Sequence, residues 1–172
     1  MKVARTIIRT IDNINGLVGS GVKWLTLLLV LITVYDVVMR YIFHAGSVYI
    51  QESEWHLFAA NFMLAAAWTL LNEGHVRVDL FYARLGDKKK AWIDFLGSII
   101  FLLPYCMLVI WAALPFIADS WSIWERSSDP GGLPARYLLK SVIPVAFLLL
   151  GIQAISQAVK NFIIIVRGEE KS

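Results

Sequence analysis

Few residues in this chain are of types that do chemistry, and their spacing decides what they are for. Three histidines, His44, His56 and His75, raise the question of haem or metal binding. Bis-histidine haem needs two imidazoles facing each other at similar depth, and zinc needs three or four converging ligands. His44 and His75 fall in polar connections and His56 at the end of an apolar run, so no metal and no cofactor are expected. Glu52 and Glu54 stand at the start of a helical pattern, where two carboxylates suit the positive end of a helix dipole better than acid–base work. Asp36 and Arg40, four apart, share a helical face and are expected to pair near a membrane edge. The single cysteine, Cys106, has no second thiol for a disulfide or redox couple and reads as a packing residue. With no glycine-rich phosphate loop and no Ser/His/Asp or Cys/His set, the chain is not expected to be an enzyme.

The elements that must position these residues are four apolar runs without a central charge: Trp24–Tyr35, Trp55–Asn72, Phe95–Ala118 and Ser141–Val159. A hydrocarbon core of about 30 Å needs roughly 20 helical residues, and each run reaches that length with its flanks. The expected spans are residues 20–41, 53–73, 91–118 and 135–166, which make residues 1–172 a single all-α integral membrane domain. Hydrophobic residues are 58% and charged residues 17% of the 172 positions, below the roughly 25% charge usual in soluble domains. The net charge of +3 is informative through its placement. Lysine and arginine gather near the N-terminus, at Arg77, Arg84 and Lys88–Lys90, and again from Lys160 onward. By the positive-inside rule both termini and the middle connection are cytoplasmic. A nucleic-acid partner is unnecessary to explain the basic balance. The first run has no small-residue cleavage site after it and is expected to stay as a helix.

Residues 1–16 place Val3, Ile7, Ile8, Ile11 and Ile14 on one side and Arg5, Arg9, Asp12 and Asn13 on the other, the pattern of an amphipathic interfacial helix. Gly16, Gly19 and Gly21 predict a flexible joint before the first span. Glu54, Asn61 and Trp68 recur every seven residues and form a candidate packing stripe, open to intrachain packing or a partner. The third run, about 36 Å at 1.5 Å per residue, carries Pro104 and Pro115 as sources of kinks. Trp121 and Trp124 suit an interface, Asp129–Pro134 is a turn signal, and Pro134 or Pro144 is expected to open the last helix.

Two stretches carry a family resemblance. One runs Asp36-Val37-Val38-Met39-Arg40-Tyr41-Ile42-Phe43, then Gln51-Glu52-Ser53-Glu54-Trp55-His56-Leu57-Phe58 and Gly74-His75-Val76-Arg77-Val78-Asp79. The other runs from Ser120-Trp121-Ser122-Ile123 to Asp129-Pro130-Gly131-Gly132-Leu133-Pro134-Ala135-Arg136-Tyr137. Together, from about Asn13 to Val166, they resemble the small DctQ-type (Q) subunit of tripartite ATP-independent periplasmic (TRAP) transporters. Trp55 departs from the pattern, because many members carry tryptophan directly before the acidic pair. The resemblance implies a four-helix inner-membrane protein that pairs with a large M subunit. That subunit holds the substrate and sodium sites, and a periplasmic receptor (P protein) delivers a carboxylate or sulfonate. The Asp129–Tyr137 stretch looks like a branch linked to 2-oxo and related acids.

The reading is therefore a scaffold subunit embedded among lipids and partners. Asp36, Arg40, Glu54, Asn61, Trp68, His75, Arg77 and Asp79 are expected to serve folding, lipid anchoring or contact with the large subunit. Trp121, Trp124, Glu125, Arg126 and Arg136 form the candidate receptor-docking loop. Two rival classes remain: a self-sufficient homodimeric small transporter, and a haem-bearing electron-transfer subunit.

Overall fold

The computed structural model describes residues 2–72, 74, 82 and 85–167. Among them all regular structure is helical. Helix α1 spans Lys2–Tyr41 and α2 spans Val48–Leu71. Helix α3 covers Asp87–Ser122, with α-helical Asp87–Leu96 and Leu103–Ser122 joined by a π-helical turn, Gly97–Leu102. Helix α4 spans Arg136–Arg167. Three stretches, Ala4–Tyr41, Asp87–Ser122 and Arg136–Val166, are long and apolar enough to cross a membrane. The 24 residues of α2 carry Gln51, Glu52, Glu54, His56 and Asn61, which dilute its hydropathy and set it apart from the other three.

Helix α4 is the centre of the arrangement, packing against α1, α2 and α3, and α1 also packs along α2. Its buried positions alternate between small residues and amides, Ala146, Gln153, Ala154, Ser156, Gln157, Ala158 and Asn161. Small side chains allow close approach and amides bond across, as expected where lipid removes the hydrophobic drive between helices. Large apolar residues point outward instead: Leu31, Phe62, Phe101, Met107 and Trp111 are all exposed.

Two expectations need correction. Helix α1 runs through Gly16, Gly19 and Gly21 without a break, in place of a joint between the leader and the first span. Glycine in a helix interior costs about 1 kcal/mol relative to alanine, but here packing offsets that cost. A Cβ on Gly19 would lie 2.0 Å from Cδ1 of Trp68, so the missing side chain is the space the indole occupies. The last helix opens at Arg136, two residues after Pro134, and Pro144 lies inside it. The π turn in α3 has a local cause. Pro104 has no N–H and its ring crowds the carbonyl four residues back, so the chain widens just before it, with Leu103 N–H donating to Ser98 O.

Candidate functional site

Polar side chains gather at the two ends of the bundle. At the end formed by the α3–α4 connection, α3 closes with Ser120 O accepting from Glu125 N–H at 3.0 Å and Trp121 O accepting from Trp124 N–H at 3.2 Å. That paired pattern is a Schellman motif, whose left-handed position normally takes glycine. Here it holds Trp124, at φ +47. The Asp129–Gly132 turn follows, with Gly132 N–H donating to Asp129 O at 3.0 Å and Gly131 at φ +81. Proline second and left-handed glycine third are the demands of a type II turn.

This connection is fastened to α2 by one carboxylate. Glu52, only 4% exposed, accepts from Ser127 Oγ, from Leu133 N–H at 2.6 Å and from Arg136 Nη2 at 2.9 Å. Ser127 Oγ in turn accepts from Arg136 Nη2 and from Asp129 N–H, each at 3.1 Å. The hydrogen bond from Ser127, then that from Leu133 N–H, holds the Glu52 carboxyl down at about 2. Beside it Glu125 pairs with Lys140 and accepts from Ser120, and these bonds also lower its pKa. Above the clasp Trp121, Trp124 and Tyr137 form an aromatic cluster with centroids 4.5–5.8 Å apart, and Trp121 Nε1 donates to Ser141 Oγ at 2.9 Å.

The helix-dipole account of the acidic pair is thus replaced. Helix α2 starts at Val48, so Glu52 and Glu54 fall beyond its first turn. Within the candidate docking loop, Glu125 and Arg136 are turned inward to hold the clasp. Trp124, Ile123 and Arg126 are exposed, and Trp121 is partly so.

Between α1 and α2 the seven-residue stripe faces α1. Glu54 senses both Asp36 and Arg40, which pair with each other. Thr26 Oγ1 lies 3.0 Å from the Asn61 amide oxygen, and Trp68 covers Gly19 beneath the ammonium of Lys23, 5.4 Å from the ring.

The opposite end of the bundle holds a second network that sequence reasoning missed. Asn15 Nδ2 donates to Gln153 Oε1 at 2.6 Å, and both residues are fully buried. Gln153 Nε2 donates to Asp12 Oδ1 at 3.1 Å, Ser156 Oγ donates to the same oxygen at 2.9 Å, and Lys160 Nζ lies 2.7 Å from Oδ2. Burial pushes the Asp12 pKa up, but the bonds from Lys160, Gln153 and Ser156 outweigh it and the net shift is downward. The signal was present as polar residues at positions 153, 156, 157, 160 and 161, the 3.6-residue rhythm of one helical face. His75, Arg77 and Asp79 lie outside the described residues. Of the other histidines, His44 sits in the α1–α2 connection at φ +53 and His56 Nδ1 lies 2.7 Å from Glu52 O. Cys106 is buried against α4 near Gly151.

Long apolar helices, tied across their ends by buried polar groups, define an integral membrane protein. The family model described as the DctQ component of tripartite ATP-independent periplasmic transporters matches residues 29–163, and the chain belongs to that family. It is thereby a transporter component, the small permease subunit, and the family is not one of enzymes. No individual curated protein matches the chain. The matched region takes in the Glu52 clasp, the Asp36–Arg40 pair with Glu54 and the α4 half of the second network, and leaves out Asp12, Asn15, Gly19, Lys23 and Thr26.

Proposed function

We propose that this chain is the scaffold subunit of a sodium-coupled importer of an organic acid in the bacterial inner membrane. It pairs with a large M subunit that carries the substrate and sodium, and a periplasmic receptor feeds that subunit. The chain crosses the bilayer four times, α2 included, with both termini in the cytoplasm.

One observation carries this reading: α1, α3 and α4 each hold a long uncharged stretch with charged residues on either side of it. On α4 the gap from Lys140 to Lys160 is 20 residues, about 30 Å at 1.5 Å per residue, the thickness of a hydrocarbon core. Asp94 and Asp119 bracket α3 in the same way, and α1 carries no charge between Lys23 and Asp36. Polar residues on an ion or substrate path line a cavity at mid-depth. Here the buried carboxylates Asp36 and Glu52 pair with Arg40 and Arg136, and Asp12 and Glu125 pair with Lys160 and Lys140, which suits a static support.

The reading is tested in proteoliposomes under an inward sodium gradient. The expected result is no uptake by this chain alone and uptake of an organic acid when the large subunit and the receptor are both supplied. Uptake by the chain alone overturns it.

A further inference from the structure

The clasp consumes Glu52 and leaves its neighbour Glu54 without a role. A groove of about 510 Å³ opens between α1 and α2 beside it, lined by Leu29, Thr33, Arg40, Gln51, Glu54, Trp55 and Phe58. Oε1 of Glu54 is shut away from solvent and has no hydrogen-bond donor among the described residues. The charges that face it are Asp36, which is buried, and Arg40, which is already paired with Asp36. Two carboxylates share one guanidinium, so one negative charge is left over. At a membrane helix that charge is costly unless a proton or a cation meets it.

The same face carries a row of outward aromatic rings. Trp55, Phe58 and Phe62 follow the i, i+3, i+7 rhythm, and the two phenylalanine rings stack with centroids 6.5 Å apart. Phe58 and Phe62 are 60% and 71% exposed, although they are among the largest apolar side chains on α2. A desolvated charge flanked by aromatic rings is the usual make-up of an interface hot spot.

We propose that this groove seats an arginine or lysine carried on a membrane helix of the large subunit, with Glu54 as its counter-ion and Trp55, Phe58 and Phe62 as its apolar flank. Charge complementarity selects this occupant. A zwitterionic lipid headgroup brings its own phosphate and leaves the surplus charge in place, whereas a cationic side chain cancels it. The inference rests on the scaffold reading above and names the chemistry of the partner's contact.

The test is binding of the large subunit to this chain in nanodiscs, with wild-type, Glu54→Gln and Glu54→Lys forms. Breaking one partner of a buried charge pair weakens association by at least about 30-fold, so Glu54→Gln is expected to raise the apparent Kd by that factor. Glu54→Lys is expected to raise it further. Replacing one cationic residue of the large subunit by glutamate, found by scanning, is expected to restore the Glu54→Lys form. If wild type binds and Glu54→Gln binds equally well, the inference is overturned while the scaffold reading stands. If wild type does not bind, both fall. Should Glu54→Gln lower the melting temperature of the isolated chain, a photo-crosslinker at Phe62 with Glu54 intact takes its place. Crosslinks to the large subunit next to an arginine or lysine support the proposal. Crosslinks to ethanolamine lipid alone overturn it.

Discussion

The Gln153 network makes a quantitative prediction, because Gln153 works in two directions at once. It accepts from Asn15 through Oε1 and donates to Asp12 through Nε2. Asn15→Leu removes the donor and strands a buried amide oxygen. A net hydrogen bond is worth about 1 kcal/mol and a stranded buried group costs about 1–3 kcal/mol, so the expected loss is about 2 kcal/mol. Gln153→Met leaves the buried Asn15 amide nitrogen only its long bond to Leu149 O, at 3.5 Å, and takes one donor from Asp12, which keeps Ser156 and Lys160. Its expected loss is about 3 kcal/mol on the same scale. In the double variant neither amide is stranded, and only the bond to Asp12 and some packing are lost. The double variant should therefore lose about 2–3 kcal/mol rather than the sum of about 5. Interhelical bonds inside bilayers average only about 0.6 kcal/mol. The larger scale applies because Asn15 and Gln153 are both fully buried and their chain of bonds ends on the charged carboxylate of Asp12. The measurement is reversible unfolding of the purified chain in mixed detergent, with all four forms as a double-mutant cycle. Losses that add to within about 0.5 kcal/mol refute the shared-bond reasoning, whatever the size of each one.

Three further outcomes follow from the packing and the clasp. Gly19→Leu should cost about 1–3 kcal/mol by overpacking against Trp68 and should be largely rescued by Trp68→Ala in the same unfolding assay; failure of the rescue means Gly19 matters for another reason. Glu52 titrates at about 2 in the folded chain against an ordinary 4.5. Its contribution is thus present above about 4.5 and lost as pH falls through about 2, so acid unfolding should steepen in that window for wild type and flatten for Glu52→Gln. Equal acid profiles for the two proteins defeat the clasp. Arg126→Glu and Trp124→Gly should each slow receptor-dependent uptake with pairing to the large subunit unchanged, while unaltered uptake kinetics exclude this loop from docking.

How much of this was legible in sequence depends on the reach of each interaction. The long apolar helices, the Asp36–Arg40 pair and the Asp129–Gly132 turn are local, set by composition or by neighbours within four residues. The role of Glu52 is not local. Its partners Ser127, Leu133 and Arg136 stand 75 to 84 residues away, and a single sequence offers only the nearby helix start as an explanation. The Gln153 network was hidden differently. A search for buried charge passes over Gln153 and Ser156 because they are neutral, although an amide in an apolar helix also needs a partner. Glycine is ambiguous in the same sense: Gly19 reads as a hinge until Trp68 is seen lying on it.

The clasp bears directly on the receptor docking proposed for this loop. Glu52, Ser127 and Arg136 bind the loop from beneath, and Glu125 with Lys140 fixes its entry from α3. The loop's outward residues are therefore already ordered, and a receptor meeting them does not have to freeze a mobile segment first. Trp124 carries this further. A tryptophan in a left-handed position where glycine costs least is strained by about 1–2 kcal/mol, and contacts with Trp121 and Tyr137 hold it there. Strain of that kind persists where a side chain is wanted in one direction. Here it turns an indole that is 62% exposed away from the bundle. The carboxylates and cations of the loop supply the frame, and the exposed Trp124 and Arg126 supply the face that the docking prediction tests.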